Sequence, residues 1–342
     1  MKIRWGVMGS GGIAQRRTIP EGIIPAVNAE LISVYDVNAE VTSKFSVKAA
    51  NSIDELLSSD IDAVYIATPA NLHCEQVIEC AKAKKHILCE KPLGMTIKET
   101  QKMIAACKKA KVQLGTTFMM RFHSQHQAAL QMIEAGKIGK PVYARTQFSC
   151  WYPPIKGAWR QNPKQGGGGS LMDMGGHCID LLEMFFGPVK AVSCFVRNTI
   201  HRYKSEDSAV AMIQFRNGAI ATVDTFFCIP DNSSKNVLEL YGSKGSILAK
   251  GTIGQGQAGE MTAFLESKSK GYKAQQARQQ SKGIKIAPPP VNMYRAEIEE
   301  FSQAIIDKRL PANSDQIGIQ IQKVLAACYE SSKKGKSIKI KA

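Results

Sequence analysis

The chain has 342 residues, of which 44% are hydrophobic, and its net charge is +16. This length exceeds a single ordinary core, so we expect two domains with sizeable cores. No run of about 18 apolar residues occurs, which excludes a transmembrane helix. The N-terminal residues enter a strand without an apolar signal core, and the nine cysteines form no CxxC pair. We therefore expect a cytoplasmic protein without a disulfide framework or a zinc site.

The excess of positive charge suggests a nucleic-acid partner, but its distribution argues against one. Residues 268–285 and 333–341 carry much of the excess and contain no acidic residue. Tyr272 is the one aromatic residue among these lysines and arginines, whereas stacking on successive bases would require several. We expect both segments to lie at the solvated surface, with neither a nucleic-acid nor a membrane partner.

The first third of the chain alternates between short apolar runs and helical patterns. The apolar runs predict strands at 3–8, 31–35, 63–67, 86–90 and 112–118. The helical patterns between them cover 53–59, 72–84 and 96–110. Alternating strands and helices are typical of a doubly wound parallel sheet, and continuous apolar strands indicate helices on both faces. We therefore expect an α/β Rossmann domain over residues 1–122.

After residue 122 the pattern changes to consecutive strands flanked by helices. Helices are predicted at 125–135, 171–186, 293–308 and 315–333. Strands are predicted at 189–197, 208–215, 219–228, 235–241 and 245–249, and a long loop at 251–290. Short turns such as Asn217-Gly218 favour an antiparallel or mixed sheet. We expect residues 123–342 to form an α+β domain.

A glycine turn follows the first predicted strand. Its residues are Gly9, Gly11, Gly12, Ile13 and Ala14, in the order GxGxxA. The turn opens a helix, and Asp36 ends the next strand, as a dinucleotide-binding fingerprint requires. A carboxylate at Asp36 bonds ribose hydroxyls and repels a 2′-phosphate, and no arginine stands beside it, so we expect NAD rather than NADP. Pro20 should stop the first helix near Thr18.

Three further motifs occur together with this turn. They are ATPANLH at 67–73, CEKPLG at 89–94, and GGGGSLMDMGGHCIDL at 166–181, with GSGGIA at the turn itself. The set closely resembles the glucose–fructose oxidoreductase / inositol dehydrogenase family, Gfo/Idh/MocA, over essentially the whole chain. The resemblance implies a large, open, mostly antiparallel sheet in the second domain, dimers or tetramers formed through it, and hydride transfer between NAD(P) and a hydroxyl of a sugar or cyclitol.

The resemblance also implies a catalytic set of Lys91, Asp173 and His177. Oxidation of a secondary alcohol needs a base for the hydroxyl proton, and histidine ordinarily titrates near neutral pH. Asp173 lies four residues before His177, so on a helix both share one face, where the carboxylate orients the imidazole. Lys91 polarises the developing alkoxide. Substrate contacts are expected from these three residues.

Other residues of these segments are candidates for the cofactor cleft and the substrate. By the resemblance, Thr68, Pro69, Asn71 and His73 line the cofactor cleft, and Glu90 and Lys91 lie at its rim. Arg121, Trp159 and Arg160 are expected at the substrate. Asp173, His177 and Asp180 do not make a complete ligand set, so we expect no metal.

Three functions remain open on the sequence. The first is a sugar or cyclitol dehydrogenase. The second is an NAD-dependent glycosidase that oxidises C3 transiently and recycles its cofactor. The third is a non-catalytic NAD-binding regulator, against which the intact Lys91, Asp173 and His177 argue.

Overall fold

The computed structural model describes residues 1–266 and 283–341. Most of the basic segment 268–285 and part of the predicted loop 251–290 therefore lie outside the described residues. The described chain builds two sheets, one of six and one of nine strands. Among these residues no helix is both long and apolar enough to cross a bilayer.

The first sheet is the parallel sheet that the alternating pattern predicts. Its strands are β1 Ile3–Met8, β2 Ala29–Tyr35, β3 Lys48–Ala49, β4 Ala63–Ile66, β5 His86–Cys89 and β6 Leu114–Thr116. They lie in the order β3-β2-β1-β4-β5-β6 and all pair in parallel. This is the strand order of dinucleotide-binding folds, with a crevice at the carboxyl ends of the strands where the order reverses. The predicted Rossmann fold is confirmed.

The α-helices of this half are α1 Ala39–Thr42, α2 Ile53–Ser58, α3 His73–Lys82 and α4 Ile97–Ala110. The helix after the glycine turn differs from its prediction, because it runs through Pro20 as a π-helix, Ala14–Ile23. Proline disrupts an α-helix because its ring collides with the carbonyl four residues back. A π-helix bonds five residues back, as Ile24 N does to the Ile19 oxygen, and so accommodates the ring. The predicted stop near Thr18 is therefore wrong.

The second sheet contains nine strands. They are β7 Pro141–Ser149, β8 Val189–Arg197, β9 Ser208–Phe215, β10 Ile220–Phe226, β11 Val237–Gly242, β12 Gly245–Lys250, β13 Glu260–Leu265, β14 Ile284–Lys285 and β15 Ile338–Lys339. Their order is β14-β13-β12-β11-β7-β10-β9-β8-β15. Only the pair β7 and β10 is parallel among these described strands, so the expected mostly antiparallel sheet is confirmed.

Two parts of this sheet differ from the sequence-based prediction. The central strand β7 was not predicted. The predicted loop 251–290 is wrong at Glu260–Leu265 and Ile284–Lys285, which form β13 and β14.

Within the described residues, five α-helices follow the first half: α5 Ser124–Glu134, α6 Pro163–Gly166, α7 Gly176–Phe186, α8 Met293–Ile306 and α9 Asp315–Lys334. Helix α8 connects the halves, because Ile298 and Phe301 are buried in the core beneath the first sheet. The Trp5 indole donates to the Ser302 hydroxyl at 3.1 Å. The division of the chain at residue 122 stays a prediction, and α8 packs across it.

One face of the second sheet is open. Along β9, Ala209, Ala211 and Ile213 are buried, whereas Val210 and Met212 are 40% and 59% exposed. Phe195 on β8 lies opposite Val210 and is 70% exposed. Apolar side chains therefore stand on both faces of these strands, although a monomeric sheet of this kind presents polar residues to water.

Candidate active site

A cavity of about 490 Å³ lies where the two halves meet. Side chains from the glycine turn, from the end of β5 and from the second sheet form its walls. The lining residues are Ile13, Arg16, Glu90, Lys91, Met119, Phe148, Ser149, Cys150, Tyr152, Arg160, Asp173, Met174, His177, Phe227, Asp231, Asn236, Ile253, Gly254, Gln255 and Tyr294. This volume is within the range of small-molecule sites, and the position matches the crevice of a doubly wound sheet.

The glycine turn closes one end of the cavity. Gly9 has φ +82°, and a Cβ there would lie 2.8 Å from the Thr68 amide nitrogen, so only glycine fits. Gly12 has φ +51° and open space around its missing side chain. No described side chain caps the start of the π-helix, so its N–H groups are available to an anion.

Asp36 is held beside this turn by two backbone amides. Its Oδ2 accepts from Gly11 N at 3.1 Å, and its Oδ1 accepts from Asn38 N at 3.0 Å. The uncapped helix start, the open glycine and the fixed carboxylate together fit a dinucleotide.

Of the predicted cofactor residues after β4, some lie by the glycine turn or at the surface, and one is buried. The backbone of Thr68 adjoins Gly9, and Asn71 is exposed beside Pro69 in a short 3₁₀ turn. His73 is only 1% exposed, and its ring nitrogens lie 3.0 Å from the carbonyl oxygens of Thr68 and Pro92. His73 therefore connects the two loops that border the cleft and does not line it. Burial lowers the pKa of His73.

Lys91 and Asp173 meet at the centre of the cavity. The Lys91 Nζ donates to the Asp173 Oδ1 at 2.5 Å and to the Asp173 carbonyl oxygen at 2.9 Å. The Arg160 Nε donates to the same Oδ1 at 2.9 Å. The two cations outweigh the burial of the carboxyl and lower the pKa of Asp173 well below its ordinary value. These three residues, the Lys91–Asp173–Arg160 cluster, bring together parts of the chain that are distant in sequence.

His177 lines the same cavity in the first turn of α7. The sequence predicts that Asp173 orients this imidazole, but the carboxylate instead bonds the two cations. The His177 Nδ1 is buried and has no hydrogen-bond partner among the described residues. Burial, Lys91 and Arg160 lower the pKa of His177 to about 3, although Asp173 opposes this. The expectation of a histidine that titrates near neutral pH is therefore corrected, because the site desolvates it beside two positive charges.

A buried carboxylate that the sequence analysis missed fixes the segment carrying Asp173. Glu206 accepts from Gly169 N at 2.8 Å, from Leu171 N at 3.0 Å and from the Tyr329 hydroxyl at 2.9 Å. Leu171–Gly175 then forms a π-helical turn before α7. Such turns occur often at functional sites. No sequence signal marks Glu206, because its partners come together only in the folded chain.

A second missed network lies behind Glu90. The Thr18 hydroxyl donates to the Tyr65 hydroxyl at 2.9 Å, and the Tyr65 hydroxyl donates to the Glu90 carboxylate. Tyr65 is 1% exposed, so this chain of hydrogen bonds is shielded from solvent. It fixes Glu90 at the cavity wall, next to Lys91.

Two predicted substrate residues are not among the described lining residues. Arg121 donates through Nε to Asp180 Oδ1 at 2.7 Å, and Asp180 is 1% exposed. A buried carboxylate is costly without a counter-ion, and Arg121 serves as the counter-ion of Asp180. Trp159 lies under Arg160, with the guanidinium carbon 4.2 Å from the ring centroid. Both residues therefore support the site from behind its wall.

Comparisons with known proteins agree with this geometry. Residues 3–118 match the model of the oxidoreductase family with an NAD-binding Rossmann fold, GFO/IDH/MocA, and residues 126–248 match a GFO/IDH/MocA C-terminal domain. The chain is 29% identical to 1,5-anhydro-D-fructose reductase of Ensifer adhaerens, over 92% of each chain. It is 32% identical to myo-inositol 2-dehydrogenase of Thermotoga maritima, over 84% of this chain and 90% of the relative.

A solved structure shares the fold over nearly the whole chain. The aldose-aldose oxidoreductase from Caulobacter crescentus, complexed with glycerol, superposes with a TM-score of 0.88 at 24% identity. The superposition covers 99% of this chain and 100% of that one. At this identity the likeness concerns the fold alone.

The charges around His177 generate a prediction. Arg160→Gln removes a cation that lowers the pKa of His177, so the pKa should rise. Titration of labelled histidine by NMR measures it, with the signal assigned through His177→Gln. Arg202→Gln, at an exposed position, is the control and should leave the pKa unchanged. An unchanged or lower pKa in Arg160→Gln would contradict the electrostatic account.

Proposed function

Since the chain belongs to the GFO/IDH/MocA oxidoreductase family, we propose that it transfers a hydride between NAD and a secondary hydroxyl of a sugar or cyclitol. This membership confirms the family predicted from the motifs. The observation that carries the proposal is the meeting of Lys91, Asp173 and His177 in one cavity beside the glycine turn. The names of the relatives support a sugar or cyclitol substrate and do not favour a glycosidase or a regulator.

His177 serves as the base in the proposed oxidation. Its lowered pKa keeps the imidazole neutral at physiological pH, which leaves a lone pair for the hydroxyl proton but makes the group a weak base before substrate binds. Lys91 donates a hydrogen bond to the substrate oxygen and stabilises the negative charge that develops there. NAD, held at the glycine turn and Asp36, would supply the hydride acceptor. The C–H bond thus loses a hydride, the O–H bond loses a proton to His177, and a carbonyl forms.

A substrate panel tests this function. Glucose, xylose, myo-inositol and p-nitrophenyl glycosides are each incubated with NAD and with NADP. We expect reduced nicotinamide to accumulate with at least one sugar or cyclitol. Release of p-nitrophenol without net reduction would favour the glycosidase instead. Binding of NAD without turnover of any compound would favour the regulator.

We also propose that NAD is preferred to NADP. The fixed Asp36 carboxylate stands where the ribose hydroxyls are expected, and it repels a 2′-phosphate. Arg16, on the π-helix that follows the glycine turn, lines the cavity.

Removal of this carboxylate should weaken the preference. In Asp36→Ala the ratio of the NADP and NAD dissociation constants should fall by roughly fivefold, since about 1 kcal/mol of repulsion is lost. Calorimetric titration of both nucleotides measures the ratio. Asp54→Ala removes an exposed carboxylate from the same half and should not change the ratio. Tighter binding of NADP than NAD by the native chain would contradict the proposal.

We propose that the chain forms a dimer or tetramer through the open face of the second sheet, and that it acts in the cytoplasm. The face exposes Phe195, Met212 and Ile220 by 70%, 59% and 55%. Exposed apolar side chains on adjacent strands are typical of an interface between subunits.

A charge on this face should separate the subunits. Met212→Glu places a carboxylate in the proposed interface, so light scattering should show a shift towards the mass of one chain. Leu310→Glu, at a residue 71% exposed in a loop, should keep the native mass. A native chain that is monomeric at micromolar concentration would contradict the proposed interface.

A further inference from the structure

An exposed tryptophan stands at the rim of the cavity. Trp151 is 43% exposed, whereas its neighbours Cys150 and Tyr152 both line the cavity. Trp5, by contrast, is fully buried. A large apolar side chain kept in water beside a ligand cavity marks a contact surface.

The ring of Trp151 rests on two further aromatic rings. It meets His201 edge-on at 4.9 Å between centroids, and His201 stacks on Tyr203 at 5.2 Å and 23°. We call Trp151, His201 and Tyr203 the rim platform. Two contacts connect the platform to residues of the cavity wall. The Tyr203 hydroxyl donates to the Tyr152 carbonyl oxygen at 3.2 Å. A His201 ring nitrogen lies 3.0 Å from the Phe227 carbonyl oxygen.

The backbone around the platform is also fixed. The Asp207 carboxylate accepts from the amides of Thr199, Ile200 and His201 at 2.7 to 2.8 Å, which anchors the loop beneath Trp151. The Trp151 amide donates to Asp231 Oδ1 at 3.1 Å. The indole is therefore held in place before any ligand arrives, and little conformational entropy is lost when one stacks on it.

Asp231 joins the platform to the cavity. It lines the cavity and is itself exposed, and it bonds the backbone of Trp151. A carboxylate accepts hydrogen bonds from hydroxyl groups and repels phosphate. The apolar indole and the neighbouring carboxylate together suit a neutral ring with one apolar C–H face and several hydroxyls, which is the chemistry of a second sugar unit.

We infer that Trp151 forms a subsite for a second sugar ring, so that the preferred substrate is a disaccharide or a glycoside whose other ring is oxidised in the cavity. This inference rests on the proposed function. The second ring stacks on the indole, Asp231 accepts its hydroxyls, and the oxidised ring remains beside Lys91 and His177. The hydride and proton steps are unchanged, because the platform only binds.

Kinetics with matched sugar pairs test the subsite. The probes are glucose with cellobiose, xylose with xylobiose, and mannose with mannobiose, each with NAD. In the native enzyme kcat/KM should be higher for the disaccharide of the accepted pair. Trp151→Ala should lower that value by about five- to tenfold, the scale of one aromatic contact, and leave the monosaccharide value within about twofold. Trp151→Phe keeps an aromatic face and should retain most of the disaccharide activity.

The results separate this inference from the proposed function. An equal loss for both members of a pair, or no native preference for the disaccharide, would overturn the subsite while leaving the function intact. If no sugar is turned over, the proposed function fails. Saturation-transfer NMR of cellobiose, xylobiose and mannobiose with the NADH-loaded chain then decides the subsite, and binding that is the same in Trp151→Ala overturns it.

Two other uses of Trp151 are distinguishable. UDP-glucose is included as a probe, and a preference for it that Trp151→Ala abolishes would assign the platform to a nucleotide base and overturn the inference. Light scattering of Trp151→Ala should show the native mass. A change to a smaller species would assign the indole to a subunit interface and equally overturn it.

Discussion

The ion pair between Lys91 and Asp173 is the interaction on which the rest of the site depends. It joins the end of β5 in the parallel sheet to the π-helical turn before α7 beneath the second sheet. The side chains are only 10% and 22% exposed, so each charge needs the other as its counter-ion. Arg160 adds a second cation on the same carboxylate oxygen. Two cations facing one carboxylate leave an excess of positive charge within the cluster, which favours a neutral His177 and stabilises an oxygen that is becoming negative.

Buried hydrogen bonds hold both partners of this pair. Glu206 satisfies the amides of Gly169 and Leu171, so that Asp173 begins its turn from a fixed point. On the other side, Glu90 is held by Tyr65, whose hydroxyl accepts from Thr18 on the π-helix that follows the glycine turn. The helix that follows the cofactor turn is therefore connected to Glu90, whose Oε2 also accepts from Lys91 N at 3.3 Å. Phe301 of helix α8 lies in the core of the first sheet. A network of this kind keeps the reacting groups in place without substrate.

Much of the fold follows from local patterns, and much of the site depends on contacts that no local pattern contains. The Rossmann strands were predictable because strands covered on both faces are continuously apolar. Strand β7 was missed because its buried positions include Ala144 and Thr146, which give only a weak alternation. The helix through Pro20 was misjudged because π-helical geometry is set by packing.

Lys91, Asp173 and His177 were identified from their motifs and do share a cavity, but the partners of Asp173 were not predicted. The ordinary pKa assigned to His177 ignored burial and the two cations.

A double-mutant cycle on Lys91 and Asp173 tests the central interaction most directly. Lys91→Met, Asp173→Asn and the double variant are compared by kcat/KM on the sugar that the native enzyme oxidises, with Lys102→Met as an exposed control. If the two residues act as one unit, the double variant should be about as impaired as the worse single variant, with a coupling energy of about 2 kcal/mol or more. Losses that simply add, with each residue contributing independently, would contradict the account.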